Sequence, residues 1–162
     1  MTEHPPLPER SRIVQQHLDD AGLTGRVREL PDSTRTAADA ASALGCEVGA
    51  IASSLLFVAD GAPVLVMTSG RHRVDTELLA PQLGAASVEM ASAKLVRDVT
   101  GQAIGGVSPV GHPSSIRTVV DVALRDYDTV WAAGGTARTV FPLTFDDLVS
   151  ITHGSPVRVA AD

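Results

Sequence analysis

The sequence predicts an α+β domain built on a mixed, barrel-like sheet with surrounding helices. Two observations predict it. Apolar, β-branched runs paired by turn signals give hairpins, and helical stretches are inserted between them without the regular strand–helix alternation of a doubly wound fold. The chain has 162 residues, 44% of them hydrophobic, enough for one domain with a real core. The expected organisation is a loose, Pro-rich tail over residues 1–10 and a single domain over residues 11–162.

Taken in order, Ser11 is placed to cap a helix running to Ala21, with Val14, Leu18 and Ala21 on one face and Gly22 as the stop. Thr36 is placed to cap "AADAASAL", which Gly45 ends. "IASSLLFV", the turn "ADGA" and "PVLVMT" read as a hairpin with Asp60-Gly61 at its turn. Asp75 opens a helix that Pro81 must kink or shorten. Ser92 to Thr100 is a fourth helix, closed by Gly101. "IRTVVDVAL", "DTVWAAGG" and "ARTVFPL" are strand-like, and Thr144 caps a last helix, "FDDLVSI".

Composition excludes several classes of function. The net charge of −6 argues against a protein that wraps a long stretch of nucleic acid, DNA included, yet leaves contact with one nucleotide end open. Aromatics at 3% leave little material for a base-stacking platform. The basic residues are twelve Arg and a single lysine, Lys94. The only cysteine, Cys46, rules out an intrachain disulfide and a cysteine-based metal cluster, and reads as a small packed residue. No signal peptide and no membrane-length apolar run is present, so the expected location is cytoplasmic. No metal-ligand spacing and no phosphate-binding G-K-[ST] occurs, so no metal and no cofactor is expected.

Two serines in the apolar run, Ser53 and Ser54, stand out. A buried hydroxyl without a partner costs about 2 kcal/mol or more, so they either bond backbone or open into a cavity. The stretch "TGQAIGGVSPVGHP" is the other unusual segment. Gly105 and Gly106 allow close approach of backbone amides to a ligand, with a tight structural loop as the alternative. "GVSPVG" is not a hydrolase nucleophile elbow, because Pro109 lacks the N–H that the oxyanion hole needs. Ser108 remains a candidate ligand contact and His112 a candidate at the pocket mouth. Arg73, in "RHRVD", is a candidate phosphate contact. Asp121, an acid in an apolar strand, needs a partner if buried; it either orients the glycine loop or ends its strand at the surface.

In order, "TRTAADAASALGCEVGAIASSLLF", "VLVMTSGRHRVDTELLA", "TGQAIGGVSPVGH", "VVDVAL" and "VWAAGGTARTVFPLT" resemble the YbaK/prolyl-tRNA-synthetase-associated domain family. The resemblance spans nearly the whole chain from Ser11. It implies an aminoacyl-tRNA deacylase that hydrolyses the ester of a mischarged tRNA. The implied partners are the aminoacyl-tRNA acceptor end and an aminoacyl-tRNA synthetase. It implies carbonyl and ribose binding by the backbone of Gly105, Gly106 and Val107. Ser53 and Ser54 would line the pocket, and Gly134 would shape its wall.

Two departures are visible. The family strand reads I-x-K-[ST]-L, and Ser53 stands where the pocket lysine is expected. Ala132 and Thr139 stand where cysteinyl-tRNA deacylases carry Ser and Asp. The alternative reading is a binding module that holds an aminoacyl end or small ligand without turnover.

Overall fold

The computed structural model describes residues 7–31 and 36–161. Most of the expected tail, residues 1–6, lies outside the described residues. Five helices and eight strands follow in the order α1 (Glu9–Asp20), β1 (Arg28–Glu29), α2 (Ala37–Leu44), β2 (Ile51–Ala59), β3 (Ala62–Ser69), α3 (Thr76–Leu83), β4 (Val88–Met90), α4 (Ala93–Thr100), β5 (Arg117–Asp121), β6 (Val130–Ala133), β7 (Thr139–Leu143), α5 (Phe145–Thr152) and β8 (Ser155–Val157). The class is mixed α+β, as the sequence predicts.

Local chemistry explains most boundaries. The side chains of Thr36, Asp75, Ser92 and Thr144 accept backbone N–H groups at the starts of α2, α3, α4 and α5. Gly45, Gly84 and Gly101 end α2, α3 and α4 in the left-handed conformation. Pro81 sits inside α3, which runs for 8 residues. The first helix departs from expectation. It starts after Pro8, and Ser11 lies within it, fully buried, donating to Thr139 Oγ1 at 3.0 Å. Its hydroxyl ties α1 to β7 instead of capping a turn.

All strands join one sheet in the order β1-β7-β6-β2-β3-β5-β8, with β4 also paired to β2. β2 and β3 form the antiparallel hairpin, while β2–β6, β3–β5 and β5–β8 are parallel. Residues of β3 alternate between two cores. Leu65 and Met67 face one with Leu18, Val120 and Phe141; Val64 and Val66 face the other with Phe57, Leu79 and Val119. Burial on both faces is why "VLVM" reads as a continuous apolar run.

The flank of β2 opposite β3 is shared. Ile51 and Ala52 pair with Trp131 and Ala132 of β6, whereas Phe57–Ala59 pair with β4. Among the described residues no strand covers the four residues between. Ser53 and Ser54 lie in that gap.

Candidate active site

A cavity of about 280 Å³ occupies the gap. Ser53 and Ser54 border it, together with Thr68 and Ser69 of β3, Ala132 of β6, Val140 of β7 and Ala37 and Ala40 of α2. Ile104, Gly105 and Val107 of the glycine loop complete it. The two serines therefore open into a cavity, which settles why an apolar strand carries them. The Ser54 hydroxyl donates to Met67 Sδ at 3.1 Å, a weak acceptor.

Backbone polarity adds to the gap. Peptide groups of alternate residues in a strand point to opposite flanks. The Ile51 carbonyl accepts Gly70 N–H on the β3 side, and the Leu56 carbonyl accepts Ala91 N–H on the other. Ser54 thus turns its own N–H and C=O toward the flank that neither β6 nor β4 reaches.

The loop expected to supply amides is built in two parts. Gly105 has φ +91°, a conformation glycine adopts without strain, and borders the cavity with Val107. Among the described residues no acceptor takes the N–H of either. Gly106 differs. Its N–H donates to Ala103 O at 3.0 Å, and it packs against the backbone of Thr136 and Ala137. Gly106 holds the loop in place and does not border the cavity.

Several other predicted site residues lie elsewhere. Ser108 is fully buried, its hydroxyl accepts Val110 N–H at 3.2 Å, and its own N–H donates to Gln102 Oε1. It stabilises the turn after the loop. Arg73 is exposed and does not border the cavity. Gly134 is buried behind the wall, donating to Thr139 O, and a Cβ there would lie 2.7 Å from Val27 Cγ1. Lys94 pairs with Asp98 on exposed α4 and does not border the cavity.

His112 donates from Nε2 to Ser108 O at 2.7 Å and borders a separate surface depression with His17 and His153. Burial holds its imidazole below the ordinary histidine range; the Ser108 carbonyl partly opposes this, and His17 adds to it. As pH falls through the ordinary value of 6.5, the unfolded chain takes up a proton that folded His112 resists. Stability from this group is therefore complete above that value and declines below it. Urea midpoints at pH 5.5 and 7.5 should diverge more for wild type than for His112→Gln.

The cavity floor holds a pairing that sequence reasoning missed. Asp121 is fully buried and bonds not to the glycine loop but to β3 and His72. Its Oδ2 accepts Ser69 N–H at 2.9 Å and lies 2.8 Å from His72 Nδ1; its Oδ1 accepts Ala123 N–H at 2.9 Å. A carboxylate in that position makes Nδ1 the donor and fixes the ring that borders the cavity. The half-buried Cys46, whose thiol burial pushes up, is not at the cavity.

A family model for the aminoacyl-tRNA editing domain matches residues 31–151. The chain belongs to this family. The editing domain is 33% identical over 152 residues to the proline–tRNA ligase of Bacillus licheniformis, covering 85% of this chain and 26% of the ligase. It thus spans about a quarter of that relative. It is 30% identical over 138 residues to the uncharacterized protein YwhH of Bacillus subtilis, covering 85% of this chain and 87% of that one. Among solved structures, a proposed trans-editing enzyme for prolyl tRNA synthetase aligns with a TM-score of 0.90 at 39% identity, covering 97% of this chain and all of the other. The editing-domain frame, including the mixed sheet around the cavity, is that of this family.

Proposed function

We propose that this editing domain hydrolyses the ester linking a wrongly attached amino acid to the 3′ end of a tRNA, acting alongside prolyl-tRNA synthesis in the cytoplasm. The observation that carries the reading is the small cavity bordered by Ser53, Ser54, Gly105 and Val107. Its volume of about 280 Å³ suits an aminoacyl group with a small side chain. It lies just below the roughly 300–1,000 Å³ range of small-molecule pockets. Neither Lys nor Arg is among the described residues bordering it, so a charged side chain would enter without a Lys or Arg partner.

In this reading water adds to the ester carbonyl carbon, and charge develops on its oxygen. In this reading the amides of Gly105 and Val107, which border the cavity and have no acceptor among the described residues, donate to that oxygen. The C–O bond to ribose then breaks, the ribose oxygen takes a proton, and a free amino acid and an uncharged tRNA leave. A neighbouring ribose hydroxyl assists the water. Ser53 keeps a hydroxyl where a lysine would bring a full charge. That absence favours a second reading, a module that binds the aminoacyl end without turnover.

Deacylation of Ala-, Ser- and Cys-charged tRNA(Pro) separates the two. Wild type should hydrolyse at least one above the spontaneous rate. Ser53→Lys should raise that rate by about 10²–10³, the usual worth of one charge stabiliser. An inert wild type beside an active Ser53→Lys would establish the binding module instead.

A further inference from the structure

Arg28 and Trp131 meet beside the cavity, which Trp131 borders and Arg28 does not. β1 is two residues long and places Arg28 opposite Val140 of β7, which borders the cavity. Trp131 borders it as well. The Arg28 guanidinium carbon lies 4.6 Å from the Trp131 ring centroid. Arg28 is exposed and Trp131 half-buried, with the indole packed on the small cluster of Ala40, Ala41 and Ile51.

This contact is not needed to neutralise a charge. Arg28 lies beyond ion-pair distance of every carboxylate among the described residues. A guanidinium held over an indole is pre-organised, and it offers both a plane and a positive charge. Arg71 and Arg125 also lie over rings, those of Tyr127 and Phe145, but neither ring borders the cavity. Arg71 pairs with Asp126 and bonds Tyr127, and Arg138 donates to the carbonyls of Leu30 and Pro31.

Size indicates the occupant. A cavity of about 280 Å³ filled by an aminoacyl group leaves no room for the attached nucleoside, which must rest at the mouth. Unstacked RNA bases are bound by stacking on aromatic rings or on arginine planes. We infer that the Arg28–Trp131 stack is the seat of the 3′-terminal nucleotide of an RNA, with the base on the guanidinium plane and the charge facing its phosphate. The inference rests on the deacylase reading for the identity of the group inside the cavity. One stack serves one base, which is compatible with a chain so poor in aromatics.

The test uses uncharged RNA, so that no ester is involved. Trp131 is the only tryptophan, and its fluorescence reports directly on the seat. A short RNA ending in CCA, the terminus common to tRNAs, is compared with the same RNA lacking the terminal adenosine. Wild type should bind the first about tenfold more tightly. Arg28→Ala should erase that preference, and Arg28→Lys, which keeps charge but not the plane, should retain only part of it. Equal binding of the two RNAs by wild type, no saturable binding of either, or an Arg28→Ala variant with the wild-type preference would overturn the inference. A wild type that prefers the terminal adenosine but hydrolyses no ester would overturn deacylation and leave the seat standing. An active wild type whose Arg28→Ala variant keeps its kcat/KM would do the reverse.

Discussion

Gly106→Ala is expected to lose deacylation by about 10²-fold and to lower stability by about 1–3 kcal/mol. An added Cβ would lie 2.6 Å from the Thr136 carbonyl carbon and 2.8 Å from both Ala137 N and Thr136 Cα. These are backbone atoms, which cannot swing aside as a side-chain tip can. The loop must back away, and Gly105 and Val107 move with it. A shift of about 1 Å in positioning groups commonly costs 10² in rate. The stability loss is read from the urea midpoint and the rate loss from kcat/KM. A variant that lost stability but kept wild-type kcat/KM would remove the glycine loop from the catalytic site.

Asp121→Ala is expected to lower stability by about 3–5 kcal/mol, the largest single effect outside the apolar core. The carboxylate takes the N–H groups of Ser69 and Ala123 and the Nδ1 of His72, all under the cavity floor. Alanine strands these donors where water has little access, and each stranded group costs about 1–3 kcal/mol. Asp121→Asn keeps the shape but must turn its amide N–H₂ toward one of the same donors, so an intermediate loss is expected. Thermal or urea unfolding reads both. An Asp121→Ala midpoint within error of wild type would show that the floor refills with water or repacks.

Much of this frame is legible in the sequence because it is written locally. Thr36, Asp75, Ser92 and Thr144 each stand before an apolar helical pattern, and each caps. Asp60-Gly61 marks its hairpin, and Asp60 and Gly61 take positive φ. β1, β4 and β8 are not legible, since strands of two or three residues carry no measurable period. Ser11 has the same local signature as a cap, but its partner Thr139 is 128 residues away. The candidate site divides in the same way. Ser53, Ser54, Gly105, Val107 and Ala132 do border the cavity. Gly106, expected from its loop, and Gly134, expected from the family resemblance, are approached instead by this chain's own backbone and side chains. His72 and Asp121 are separated by 49 positions, so nothing short of the parallel β3–β5 pairing brings them together.

The shared flank of β2 has a consequence for how such a domain can diverge. Position 53 is fixed in register by Thr68 across the hairpin, while on its other flank no strand among the described residues pairs with it and it borders the cavity. A side chain can be exchanged there without disturbing a ladder bond, because the register is held by backbone groups. On the deacylase reading, single substitutions at positions 53 and 54 change the lining of the cavity with no loop insertion and no change of frame.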